Sequence, residues 1–501
     1  MFMNRILVLL YFFAAFQYSC KKQAAVPASP LVDIDSAVLS QYDNLHIYAR
    51  AANISNADIH ERGFCWSTHH LPTKSDSTLK LSGSKSFDTT LLGIGQNAAL
   101  YFRAYVQTPS GTIWSKETTI KTSGLKILWE KEYAKRVMDF RQAIRSDDNS
   151  FVVMLKMFGN SIAWTELVKL DTAGNILWDN QYNQNTWKEP EYILKIKNGY
   201  LFVTTAYVAG GKQSAVVMID NDGNKVWEKG FNTSTWQEYV KLVAVSDTSY
   251  IFTNRAFDGI VHGVRQNCQL VDYTFNKNGD LLNQQTSLVN NKFAEGSYAI
   301  KTLNVSPNNG FLSATYYAPP SDYKIPFDII VQRFINNQLQ WEKTYGGVND
   351  EIPAAVLPTV DNNYSILGYT NSKGTTDQSA WLFKIGGGIG EMLWDATYSN
   401  KTFGIHSATF PMDLSINGAG EYFIAGDVSD KNYSSTKSFL TKIDFHGGYL
   451  WEYTFENKEG YKFGRANTSF SDTDGTIYVF GLKIAEINSS TNLLYVTKLK
   501  E

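Results

Sequence analysis

The stretch Ile127–Tyr133, ILWEKEY, is rewritten along the rest of the chain, and this repeat constrains the fold more than any other feature. It returns as ILWDNQY (Ile176–Tyr182), KVWEKGF (Lys225–Phe231), LQWEKTY (Leu339–Tyr345), MLWDATY (Met392–Tyr398) and YLWEYTF (Tyr449–Phe455). A degenerate copy, LLNQQTS (Leu281–Ser287), fills the one gap and carries Asn283 in place of Trp. Trp129, Trp178 and Trp227 are 49 residues apart, and Trp341, Trp394 and Trp451 are 53 and 57 apart. A period of about 50 residues implies stacked units, each needing its neighbours to bury its faces.

Within a unit the Trp strand is followed by a strand pair around an Asn/Asp/Gly turn, as in KNGYLF (Lys197–Phe202) or DNNYSI (Asp361–Ile366). A further strand then ends in a second turn, as in DTAGN (Asp171–Asn175) and DNDGN (Asp220–Asn224). Such turns between alternating strands are strong hairpin signals. Four short strands per unit make a blade, and the aromatic content of 14% suits strands. Seven units are counted. The chain runs into the repeat on a Trp strand and leaves it after LLYVTKLKE (Leu493–Glu501), the strand that should precede one. The expected fold of residues 124–501 is therefore a seven-bladed β-propeller of four-stranded blades, closed by the Ile127–Tyr133 strand. An open solenoid is the rival architecture, but it gives its ends no reason to match.

Residues 31–123 read as a small all-β domain. Candidate strands are Asn44–Asn53, Arg62–Thr68, Ser86–Gly93, Ala99–Thr108 and Thr112–Thr122, with Pro109-Ser110-Gly111 turning the last two into a hairpin. The strings RGFCWSTHHLPT (Arg62–Thr73) and ALYFRAYVQTPSG (Ala99–Gly111) resemble the fibronectin type III-like domains of bacterial surface lipoproteins, which implies a β-sandwich spacer. The repeat itself resembles the WexxYGGxxxDE-type propeller units of bacterial secreted proteins. Trp341–Glu351, WEKTYGGVNDE, matches best, and the other units keep the Trp and the turns but not the Gly pair.

The first residues read as an address. Asn4 and Arg5 precede an apolar run from Ile6 to Phe16, which as a helix rises about 16 Å, against roughly 30 Å for a bilayer core. It is a signal segment rather than a span. Ser19 before Cys20, then Lys21-Lys22 and a Pro/Ala-rich tether to Pro30, resembles a Bacteroidetes-type lipoprotein signal. That resemblance implies a signal peptide over 1–19, a lipidated Cys20, and attachment to the outer membrane at the cell surface. An ordinary secretory signal cleaved near Ala24 or Ala25 is the alternative. Cys65 and Cys268, the remaining cysteines, fall in different domains and form no metal-ligand spacing.

Little of the chain speaks to chemistry. A net charge of −2 leaves no electrostatic footprint for nucleic acid. DNDGN lacks the further donors of a calcium loop, the seven His residues show no ligand spacing, and Gly386–Gly390 runs from strand to strand rather than into a phosphate-cradling helix. No cofactor or metal is expected. Trp187 and Trp236 each lie nine residues after a repeat Trp, with Glu189 and Glu238 at the same offset, in what reads as loops between blades. Exposed Trp beside a carboxylate suits a sugar ring or a protein anchor; simple packing over the blade junction is the plainer alternative. Tyr316, Tyr317 and Tyr323 make a weaker patch. The expected function is a non-catalytic cell-surface binding or adhesion module for a glycan or protein. The rival is an exported polysaccharide-acting enzyme, of hydrolase or lyase type, with its site at the propeller axis.

Overall fold

The computed structural model describes residues 29–501 apart from 41–43, 82–84, 92–98, 122–124, 135–136, 160, 183–187, 210, 232–235, 262–263, 289–296, 306–309, 318–325, 375, 401, 403–405, 456–460 and 486–491. The signal segment, Cys20, Trp187 and Tyr323 lie outside the described residues, as does the side chain of Tyr317. The chain is all-β, with a turn of 3-10 helix at Asn56–Asp58.

Residues 31–121 make two sheets. Ser86–Leu91, Asn44–Ala52 and Leu31–Ser40 form one, in that order. Ser77–Leu81, Glu61–Ser67, Ala99–Thr108 and Gly111–Trp114 form the other, and Thr118–Lys121 also pairs with Ala99–Thr108. Alternation places Phe102, Ala104 and Val106 inward against Val32, Ile47, Phe64 and Phe87. Two strands differ from the sequence reading by being present, Leu31–Ser40 and Ser77–Leu81; the expected strand over Thr112–Thr122 is broken in two at Ser115–Glu117.

Beyond residue 125 the strands form consecutive four-stranded antiparallel meanders. They cover 137–182, 188–230, 236–288, 297–345, 351–398 and 408–455, each ending on a copy of the repeated motif. The third carries an extra hairpin, Gly259–Val261 with Val264–Gln266. A last meander is assembled from both ends of this region. Tyr461–Ser471, Thr476–Ala485 and Leu493–Lys500 supply three strands, and Lys126–Ala134 supplies the fourth, in register from Leu493↔Ala134 to Lys500↔Lys126.

Apolar cores lie between successive meanders. Val152, Met154, Leu167 and Tyr182 meet Ile193, Tyr200 and Phe202 of the next unit, and Leu312, Val331 and Tyr345 meet Ile366, Trp381 and Phe383. The last meander packs on the first in the same way, through Tyr478, Phe480 and Val496 against Phe151, Val153 and Val168.

A clamp links the units, and it explains the repeat. Each motif Trp lies over the glycine of the second turn in the following meander. Built on ideal geometry, a Cβ at Gly174, Gly223, Gly279 or Gly390 would come within 2.8–3.0 Å of Trp129, Trp178, Trp227 or Trp341 respectively. All four glycines have positive φ, between 71° and 81°, so the turn requires glycine for its backbone as well as for the space. The Tyr that closes the motif adds a hydrogen bond: Tyr133 to the Gly174 carbonyl and Tyr182 to that of Gly223, each at 2.6 Å. The last meander has no such turn, because its third and fourth strands come from opposite ends of the region. There the Glu501 carboxylate receives the Trp451 Nε1–H at 2.9 Å. One clamp is missing on both sides: Asn283 replaces the Trp, and Asn336-Asn337, both at positive φ, replace the glycine turn it would meet.

Candidate functional site

The first strand of a meander carries a β-bulge at a recurring level, between Phe140 and Gln142, Pro190 and Tyr192, Tyr239 and Lys241, Pro353 and Ala355, Pro411 and Asp413, and Ala466 and Thr468. A bulge twists the strand and re-aims the side chains beside it. Two residues before each bulged position stand Asp139, Glu189, Glu238, Ile352, Phe410 and Arg465. Their cross-strand partners on the second strands are Lys156, Thr205, Arg255, Tyr369, Asp427 and Leu482. Together they make one rung that passes through the meanders and changes chemistry along its course.

Glu189 and Glu238 both belong to this rung, and with Trp236 they sit in strands, Lys188–Ile196 and Trp236–Ser246, rather than in the loops read from the sequence. Glu189 bridges the first two meanders through an ion pair to buried Lys156 at 2.7 Å, with Arg141 at 3.9 Å. Glu238 pairs with Arg255, itself 2% exposed. Trp236 stacks on Phe257 at 6.0 Å and borders the cluster of Val240, Leu270 and Phe311. These residues therefore lie on successive meanders at one level, with both carboxylates neutralised by cations.

Beside Tyr369 and Phe410 of the rung lies a cluster of aromatic rings, of which only Tyr316 was singled out from sequence. Phe410 lies 6.1 Å from Tyr369 across the junction of meanders 351–398 and 408–455, and 5.9 Å from Tyr433 in the turn after Ser429. Tyr316 packs on Phe327 at 5.2 Å and acts electrostatically on Tyr369, as do Asp350 and Tyr433. Burial, aided by these neighbours, pushes the Tyr369 phenol up to about 12. No local sequence pattern unites these rings, because five separate segments contribute them.

Asp427, cross-strand partner of Phe410, is 5% exposed, and its Oδ1 has no hydrogen-bond partner. Burial pushes its carboxyl up to about 7, while the charge of Arg465 on the next meander pulls the other way. A carboxyl so placed gains and loses its proton near neutrality and can act as donor or acid. At the junction that lacks a clamp, Lys241 is fully buried, 4.7 Å from the Phe311 ring centroid, and burial lowers its ammonium to about 8.

Elsewhere the structure assigns local roles. In Asp220–Asn224 the Asp220 Oδ1 accepts the backbone N–H of Asp222 and Asn224, which makes this a turn. His69 and His70 bind Asp76 and Glu117 within the small domain. Cys65 and Cys268 are buried thiols. Among the described residues no three His, Cys, Asp or Glu side chains converge as metal ligands.

No protein-family model matches the chain, and no curated protein matches it. Among solved structures, a variant of Synechocystis apocarotenoid oxygenase is 9% identical, with a TM-score of 0.37, over 83% of this chain and 90% of that one. The β-propeller domain of the Trilobed protease from Pyrococcus furiosus is 9% identical, with a TM-score of 0.37, over 74% of this chain and 94% of that one. Pyrococcus horikoshii acylaminoacyl peptidase is 9% identical, with a TM-score of 0.37, over 73% of this chain and 51% of that one. Likeness at this level assigns no function.

Proposed function

We propose that the chain is an exported surface lipoprotein that binds a glycan or a protein without transforming it. In this reading Cys20 anchors it to the outer membrane, residues 31–123 form a fibronectin type III-like spacer, and residues 124–501 form a seven-bladed β-propeller that presents the binding face. The closed-ring reading is supported by the Lys126–Ala134 strand, which completes the last meander while Trp129 clamps Gly174 of the first. The sandwich reading is supported by the sheet orders of residues 31–121.

The observation that carries the binding reading is the division of the rung. Glu189 and Glu238 are tied to Lys156 and Arg255, whereas the aromatic cluster leaves rings half-exposed. Ion-paired carboxylates are poor acids and bases, and half-exposed rings are good anchors. The test is a glycan-array screen of the intact chain beside its Trp187→Ala/Trp236→Ala variant. Binding with the glycan left intact is expected, and release of shortened products would overturn it.

One observation favours a second reading, a polysaccharide-acting enzyme. Burial raises the Asp427 carboxyl to about 7 beside Phe410, so it exchanges its proton near neutral pH, as a general acid would. Product release abolished by Asp427→Asn would establish that reading.

A further inference from the structure

The aromatic cluster has a composition that narrows its ligand. Tyr433 is 59% exposed, and its turn is fixed from below: Asp430 Oδ1 accepts the Ser434 and Ser435 backbone N–H at 2.6 and 3.1 Å, and the Asp430 carbonyl accepts that of Tyr433 at 3.0 Å. The ring is thus held out on a rigid support. Phe410 and Tyr369 continue the surface inward, each half-exposed, from the neighbouring strands. One carboxylate stands beside these rings. Asp350 accepts the Phe327 N–H at 3.0 Å and acts on Tyr369.

Ring faces attract the C–H face of a sugar, and carboxylates accept hydrogen bonds from its hydroxyls. Asp350 likewise repels a phosphate, sulfate or uronate group placed beside Tyr369. We propose that the Tyr369–Phe410–Tyr433 surface is a carbohydrate subsite for a neutral sugar unit, which stacks on Tyr433 and Phe410 and donates a hydroxyl to Asp350. This assignment rests on the binding reading above, but it places the ligand on different meanders from Trp236.

The test is calorimetric titration of the intact chain with neutral gluco-, manno- and xylo-oligosaccharides and with an oligogalacturonate. At least one neutral series binds, and the oligogalacturonate does not. Tyr433→Ala and Tyr369→Ala each weaken that binding about tenfold, Tyr433→Phe retains it because the ring is kept, and Trp236→Ala changes it less than about twofold. Because Tyr433 is exposed, its loss leaves the melting temperature unchanged. Unaltered binding in both tyrosine-to-alanine variants overturns the subsite, as does preference for the oligogalacturonate. Binding lost only in Trp236→Ala removes this subsite and keeps the wider reading, whereas no glycan binding at all removes the glycan ligand from both.

Discussion

The indole of Trp178 lies on Gly223 of the following meander, and its Nε1–H donates to the Asn221 carbonyl at 2.9 Å. The same contact is made by Trp227, whose Nε1–H reaches the Lys277 carbonyl at 2.9 Å over Gly279. The repeated Trp is thus a joint between units.

Gly223→Ala should therefore destabilise the chain by about 1–3 kcal/mol, through positive-φ strain and collision with Trp178. Gly388→Ala is the control, since a Cβ there meets nothing within 4 Å. Urea unfolding of the two variants compares them directly; equal midpoints would mean that the turn yields.

The clamp absent at Asn283 gives a converse expectation. Asn283→Trp alone should give no gain, because Asn336-Asn337 offers no glycine for the indole to cover. Combined with replacement of that turn by an Asp-Xaa-Xaa-Gly sequence, it should add about 1 kcal/mol. Thermal melts of the single and combined variants measure the coupling between the two halves.

Removing the Lys126–Ala134 strand should have a different consequence. It leaves Leu493–Lys500 as an unpaired edge and strips buried Lys483 of Glu130 and Glu132, its partners at 2.6 and 2.9 Å. Open edges recruit other chains. Light scattering should find oligomers or aggregates in a chain without residues 125–134 and a constant mass in the intact chain.

Two carboxylates give opposite pH dependences. Burial raises Asp148, but hydrogen bonds from Ser150 and Lys169 outweigh it and hold the group down at about 2. Its contribution is present above the ordinary carboxylate range and is lost as pH falls towards 2. Asp427 is raised to about 7, so the folded chain takes up its proton first and gains stability as pH falls from about 7 to about 4. Asp427→Asn should therefore stabilise at pH 8, by up to about 4 kcal/mol, and have little effect at pH 4. Urea midpoints at the two pH values check the sign.

The meander pattern was legible because it is local. An Asx-Gly turn and a Trp strand announce themselves within about ten residues, and their recurrence orders the units. Glu189, Trp236 and Glu238 were noticed for their shared offset, and the shared level on the rung is the structural counterpart of that offset. Their placement in strands was not legible, since the short links after Tyr182 and Phe231 carry no marker of where pairing resumes. Nor do the bulges leave a signature: Pro190, Pro353 and Pro411 precede three of them, but Phe140, Tyr239 and Ala466 precede others. The Tyr369–Phe410–Tyr433 surface depends on contacts across a junction, and the raised Asp427 depends on burial that only the packed sheets create.

The pairing of Lys126–Ala134 with Leu493–Lys500 also dictates a timetable. These partners are separated by about 360 residues, which a ribosome synthesises over roughly 20–70 s. Until the later strand emerges the earlier one has no partner, although neighbouring meanders can already pair within themselves. Completion of the last sheet is thus the slow, non-local step, with a large loop to close. For all that time the newborn chain carries a strand with an unpaired edge, and the duty of shielding it falls on whatever accompanies the chain to its destination.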